Sequence, residues 1–145
     1  MSNRDGFRFK ADPIRHHAHV RGDNAAVIFQ GRTTTYRQLD QRANQVANGL
    51  IGAGIKRGQR VAILAKNTDL FYELLYGATK IGAVLAPINF RLAPPEVSYV
   101  INDAQAPLLF VGEGYDDLIT GIGDELASVR QIISLHDGAY EAWRD

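Results

Sequence analysis

The sequence contains no cysteine. Disulfides, thiolate nucleophiles and cysteine-ligated zinc are therefore excluded, and the chain reads as an intracellular, cytoplasmic one. Long hydrophobic runs are missing too. Each apolar stretch is broken within about ten residues by a charge, Gly or Pro, well short of the roughly 20 residues that cross a bilayer. The first twelve residues carry Arg4, Asp5, Arg8, Lys10 and Asp12 without an apolar core, a pattern of neither signal peptide nor anchor. There is no fixed-period repeat and no low-complexity linker.

Net charge is absent as well: 16 Lys+Arg balance 16 Asp+Glu. The balance conceals an asymmetry, because residues 1–60 hold 11 basic and 4 acidic side chains and residues 61–145 hold 5 and 12. The cations are nevertheless spread singly, with Lys56-Arg57 the one adjacent pair, and no aromatic residues interleave with them. A base-stacking surface needs both features, so nucleic acid is not the expected partner.

What is present suits a folded domain. Of 145 residues, 46% are hydrophobic and 22% charged, and a chain of this length buries roughly two-thirds of its unfolded surface. Ala25–Phe29 and Thr33–Thr35 are β-prone runs joined through Gln30-Gly31-Arg32, which predicts a hairpin. Thr35 followed by Gln38 forms a capping-box pattern. Leu39, Ala43, Val46, Ala47 and Leu50 then make a helical stripe ended by Gly52 and Gly54. Val61–Ala65 reads as a strand buried on both faces. Leu70, Phe71, Leu74, Leu75, Ala78 and Ile81 give a second helix, with Asn67 or Thr68 as its cap and Gly82 at its end. Val84–Ala86 is a short strand ended by Pro87, and a helix follows from Pro94-Pro95 through Ala104. Pro107–Val111 and Gln131–Leu135 are further strands, separated by a weaker helix from Tyr115 to Ile119 or on to Leu126. Alternation of this kind predicts an α/β fold with a largely parallel sheet plus an N-terminal β-hairpin.

In such sheets ligands bind beyond the carboxyl ends of strands, so the loops Lys66-Asn67-Thr68 and Ile88-Asn89-Phe90-Arg91 are the first candidates for ligand contact. Asn67 is adequately explained as a helix cap. Gly49–Gly54 follows a helix, the reverse of the order a phosphate cradle needs. Gly112-Glu113-Gly114 has the right order but lacks a third glycine and precedes Asp116 and Asp117, which repel phosphate. His16 and His19, flanking His17, share a helical face at i,i+3 spacing and offer at most two metal ligands, too few for a firm site. No G-x-S-x-G nucleophile pattern occurs.

One ordered set of segments goes further. Gly31–Leu39, Ala43–Ala47, Gly54–Ala62, Asn67, Lys80–Val84, Pro87–Leu92 and Ile101–Ala104 together resemble the N-terminal segment of adenylate-forming enzymes. The stretch Gly82–Asn89 is most similar to acyl-CoA synthetases. One departure is Ala93, where a hydroxyl residue often precedes the helix, and its loss weakens that helix start by about 1 kcal/mol. The resemblance implies a partial N-terminal domain: residues 1–24 as an extension with a short helix, and 25–145 as part of the α/β subdomain. The implied parent joins a carboxylic, fatty acid to CoA using ATP and Mg2+, through an acyl-adenylate. The remainder of that parent is the expected partner, with self-association through exposed apolar surface and peripheral membrane attachment as further expectations. The family's phosphate loop ending in Pro-Lys, its Thr-Glu pair, ribose-binding Asp and C-terminal Lys have no counterpart in these residues. No catalytic, cofactor-binding or metal-binding residue is therefore assigned, and the 145-residue chain is expected to be inactive alone. The alternatives are a stand-alone binding or interaction module, or part of an aryl-CoA ligase or a peptide-synthetase adenylation domain.

Overall fold

A computed structural model describes residues 10–145; Arg4, Asp5 and Arg8, and with them most of the leader reading, lie outside the described residues. A short helix α1 (Asp12–Val20) opens the fold and packs on α2 through buried Ile14 and Ala18. The hairpin β1 (Ala25–Phe29) and β2 (Arg32–Thr35) follows, antiparallel with Phe29 opposite Arg32. Its turn is tighter than the sequence reading: Arg32 joins the strand, leaving Gln30 and Gly31 at φ +47° and +76°, the positive-φ pair that matches strand twist in two-residue hairpins.

Helix α2 (Tyr36–Gly52) starts as predicted. Thr35 Oγ1 accepts from the Gln38 amide at 3.2 Å, and Gln38 Oε1 accepts from the Thr35 amide at 3.0 Å. The sheet then assembles from β3 (Arg60–Leu64), β4 (Val84–Ile88), β5 (Leu108–Val111) and β6 (Gln131–Ser134), linked by α3 (Leu70–Lys80), α4 (Pro94–Ala104) and α5 (Asp116–Ile122), the last extended by a 3-10 turn at Gly123–Glu125. Strand β4 runs past Pro87 to Ile88. Proline is tolerated there because β4 is an edge strand bonded only to β3, where a missing amide breaks no second ladder. A final helix, α6 (Ala139–Arg144), was not foreseen.

The order is β4-β3-β5-β6, all parallel. The strands alternate strictly: Val61, Ile63, Leu108 and Phe110 face α2, α3 and α6, while Ala62, Leu64, Leu109 and Val111 face α4 and α5. The connecting helices change face where the chain reverses direction across the sheet, as right-handed crossovers require. Helix α4 lacks a side-chain cap, as Ala93 predicts, and only Glu96 reaches back to the Ala93 amide, at 2.8 Å.

Helices α2, α3 and α6 are tied by charge inside the protein. Glu73 of α3 is 2% exposed. Its Oε1 accepts from Arg42 of α2 at 3.1 Å, and its Oε2 accepts from Tyr140 at 2.9 Å and from Arg144 at 3.1 Å, both on α6. Lys80 and Asp40 form a second, largely buried α3–α2 pair at 2.7 Å.

Candidate functional site

After β3 the chain moves outward to β4, then returns past β3 to form β5, so the loops leaving β3 and β5 diverge toward opposite faces. A crevice opens between such loops at the carboxyl ends of the strands. Here it is a cavity of about 410 Å3 lined by Lys66, Asn67 and Thr68 after β3, Gly112, Glu113 and Gly114 after β5, Leu135 and His136 after β6, and Phe29 and Gln30 of the hairpin turn. Gly112 makes the junction possible. Its amide donates to the Leu64 carbonyl at 2.9 Å, and a Cβ there would stand 2.6 Å from the Ala65 Cβ and 3.0 Å from its Cα.

The polar lining is unevenly committed. Lys66 and Asn67 are exposed. Thr68 Oγ1, rather than Asn67, receives the Leu70 amide of α3, at 3.4 Å, and donates to Asp69 at 3.2 Å. Asp69 also takes a 3.0 Å bond from Arg32. His136 is held on both sides, with Nδ1 3.0 Å from Ser134 Oγ and Nε2 3.3 Å from Asp116. Beside it Asp137 accepts the Ala139 amide at 2.9 Å, which with the neighbouring Ser134 and His136 holds its carboxyl below the usual range.

Two further hollows adjoin the crevice. One, of about 490 Å3, runs beneath the hairpin between Ala26–Phe29 and the start of α3 at Phe71 and Tyr72. The other, about 810 Å3, is a charged basin that includes Arg32, Arg42, Glu73, Glu141 and Arg144. Tyr140, fully buried, donates to the Glu73 of this basin, and burial together with the Glu73 carboxylate pushes its phenol well above the ordinary value. Burial opposes the charge on Arg144, yet the bonds it donates to Asp145 and Glu73 hold its guanidinium above the usual value.

Of the sequence candidates, Lys66-Asn67-Thr68 reaches the crevice. Ile88-Asn89-Phe90-Arg91 does not, because β4 lies one strand away from the switch point. There Asn89 accepts the Arg91 amide at 3.0 Å, and Phe90 packs between Tyr115 and the Arg91 guanidinium. Gly49–Gly54 ends α2 as read, with Gly54 at φ +79°. Gly112-Glu113-Gly114, set aside as a phosphate cradle, nevertheless lines the crevice, while Asp116 turns to His136. His17 accepts from Arg21 at 3.2 Å and packs on Tyr36, while His16 and His19 are exposed on α1. Sequence reasoning missed His136, although it follows a strand at the carboxyl edge and the same rule that flagged Lys66 would have found it.

A parallel sheet covered on both faces, with a polar crevice at its switch point, defines an open α/β domain of the doubly wound kind. More particularly, the chain belongs to the AMP-binding enzyme family, which matches residues 14–144. It is 37% identical over 128 residues to the fatty acid–[acyl-carrier-protein] ligase ScoC of Streptomyces coeruleorubidus, covering 88% of this chain and 24% of that protein. It is 46% identical over 78 residues to the long-chain-fatty-acid–CoA ligase FadD13 of Mycobacterium tuberculosis, 54% of this chain and 16% of the relative. Among solved structures, the N-terminal domain of FACL13 from Mycobacterium tuberculosis superposes with a TM-score of 0.88 at 33% identity, covering 96% of this chain and 36% of that one. The anthranilate CoA ligase AuaEII bound to anthranoyl-AMP gives 0.90 at 29% identity, covering 95% and 27%. The chain thus spans between a sixth and a quarter of these two curated relatives.

Proposed function

We propose that these residues form the N-terminal part of an ATP-dependent acid–thiol ligase. The carboxylate of an organic acid attacks the α-phosphorus of ATP, releasing pyrophosphate and leaving an acyl-adenylate. A thiol, that of CoA in the reading we favour, then attacks the acyl carbon and AMP departs. The family match over residues 14–144 carries this reading, and the relatives' printed activities, ligation of aliphatic and aromatic acids to CoA or to acyl carrier protein, agree with it. An aliphatic, fatty acid is the substrate class we favour.

This part contributes scaffold rather than chemistry. Its residues build the sheet, hold the switch-point crevice open through Gly112, and fix α2, α3 and α6 through Glu73. Magnesium, ATP and CoA are assigned to the remainder of the parent, where the family's phosphate loop, Thr-Glu pair, ribose-binding Asp and C-terminal Lys would lie. That remainder is also the assigned partner for the exposed Val84, Tyr99 and Ile132, and without it self-association is expected. No helix among the described residues is long and apolar enough to cross a membrane; the cytoplasm is the location we favour.

The purified 145-residue chain, supplied with ATP, Mg2+, dodecanoate and CoA, should release no pyrophosphate. The reading frame beyond the Asp145 codon should run into a Ser/Thr/Gly-rich loop closing in Pro-Lys. Acyl-CoA formation by the isolated chain overturns the scaffold role, and a stop codon directly after Asp145 overturns the ligase reading in favour of a free-standing binding module.

A further inference from the structure

The two edges of the sheet are not equivalent. Backbone groups of successive strand residues point to alternate sides. On β4 the Val84 amide donates to the Gln59 carbonyl at 2.9 Å, so Val84, Ala86 and Ile88 turn toward β3 while Leu85 and Pro87 turn outward. Proline has no N–H, and the outer edge of β4 keeps the Leu85 donor alone. On β6 the Leu135 amide donates to the Val111 carbonyl at 2.8 Å and the Gln131 amide to the Pro107 carbonyl at 3.3 Å. Ile132 and Ser134 therefore turn outward with both N–H and C=O unused, since β6 is bonded only to β5. Such an edge is a template for a further strand.

The side chains along it are self-complementary. Ile132 stands in register with Leu109, on the face that carries α5, yet is 48% exposed because nothing covers it at the edge. Arg130, just before the strand, is exposed and has no acidic partner among the described residues. Beyond the other end lies His136, held on Asp116, with Asp117 exposed beside it.

We propose that the 145-residue chain pairs with a second copy of itself through β6, antiparallel about a two-fold axis at Ile133, joining the two sheets into one. Ile132 then lies opposite Ser134 of the second copy, and the four outward N–H and C=O groups of each strand find partners. The two Ile132 side chains become diagonal neighbours on one face and shield each other from water. Arg130 meets the His136–Asp116 pair of the second copy, and symmetry makes that contact twice. A parallel pairing would set Arg130 on Arg130 and acid on acid, so charge selects the antiparallel form. Pro87 denies the β4 edge the same use. The pairing is a property of this chain taken alone and does not rest on the ligase reading.

Sedimentation velocity on the 145-residue chain, from about ten micromolar to about one millimolar, covers the range in which a small interface associates, and a monomer–dimer equilibrium is the expected result. Ile132→Lys should weaken the dimer at least about tenfold, by placing two like charges where two apolar groups met. Arg130→Glu should weaken it at least about fivefold, and added salt should weaken the native dimer but not that of Arg130→Glu. Val84→Lys, the same kind of change on the β4 edge, should leave it as it was. Amide exchange gives a reading free of any variant: the Ile132 and Ser134 amides should slow as concentration rises, and the Leu85 amide should not. A monomer across the whole range, a dimer indifferent to Ile132→Lys, or concentration-dependent protection at Leu85 in place of Ile132 and Ser134 overturns the proposal. The two readings fail separately: the frame beyond the Asp145 codon decides the ligase, and the exchange of these two amides decides the pairing.

Discussion

Replacing Glu73 by Gln removes one negative charge from the protein and leaves three donors aimed at it. In the native arrangement two guanidinium groups and a phenol converge on the two carboxylate oxygens at 2.9 to 3.1 Å. The carboxylate is 2% exposed, while the side chains of Arg144 and Arg42 are 12% and 35% exposed. A glutamine retains one acceptor oxygen and turns an NH2 toward a donor, so at least one of the three bonds becomes a donor–donor contact. Hydrogen bonds to charged groups are worth about 1.5–3 kcal/mol each, and stripping one partner from a buried ion pair costs about 3–5 kcal/mol. Water reaches Arg42 and recovers part of this, which places the expected loss for Glu73→Gln at about 3 kcal/mol. That is a large fraction of a total stability of about 5–15 kcal/mol. Urea unfolding at pH 7, followed by circular dichroism, reads it directly. With a slope of about 2 kcal/mol/M the midpoint should fall by about 1.5 M. Tyr140→Phe should lose about 1 kcal/mol, because Arg144 still serves the same oxygen. The double variant should lose less than the sum of the two, since both changes act on one network. A loss under about 1 kcal/mol for Glu73→Gln, or strict additivity with Tyr140→Phe, refutes the view that this carboxylate ties the three helices.

The phenol of Tyr140 titrates above its unfolded counterpart, so the folded state holds that proton more tightly. Its contribution is complete below about pH 10 and falls away as pH rises beyond that, by at most about 1.4 kcal/mol per unit; alkaline melts should show a steeper loss for the native chain than for Tyr140→Phe. Ala93 has φ −70° and ψ 155°, the backbone of a helix cap without the side chain, so Ala93→Ser should add about 1 kcal/mol and raise the melting temperature by roughly 2–5 °C. Gly112→Ala would press a methyl into Ala65, costing about 1–3 kcal/mol and shifting the crevice loops, which chemical-shift changes at Lys66 and Glu113 would report. An unchanged melt for Gly112→Ala would rule out the close approach.

Much of this architecture is written locally. The uninterrupted run Val61–Leu64 and the reciprocal Thr35 and Gln38 bonds depend on residues within a few positions of one another, and so a pattern of apolar and hydroxyl side chains suffices to place them. The buried face of α3 is different. Of its apolar stripe of Leu70, Phe71, Leu74, Leu75, Ala78 and Ile81, Leu74 and Ala78 are buried as expected, but the other buried positions are Glu73 and Gly77, while Leu70, Phe71, Leu75 and Ile81 are only partly buried. The helix is rotated toward Arg42 and Arg144, which stand 31 and 71 residues away, and no local spacing encodes such partners. Helix α6 escaped for the same reason, since its six residues are held by Tyr140 and Trp143 against Phe110 and by Arg144 on Glu73 rather than by helical periodicity. In the site, Lys66 was legible from strand-end position alone, while the importance of Gly112 depends on β3 and β5 being neighbours, a fact of topology.

The clamp on Glu73 also has a direction in time. A chain is made from its N-terminus, and domains fold as they emerge. Helices α2 and α3 and the loops after β3 and β5 are complete once residue 114 is made, but two of the three donors for Glu73 arrive with residues 140 and 144. Until then the growing polypeptide carries an acidic group in its interior with Arg42 alone to answer it. A product cut short of Tyr140 would keep every strand yet lack two of the three donors to Glu73, and it is expected to be less stable for that reason.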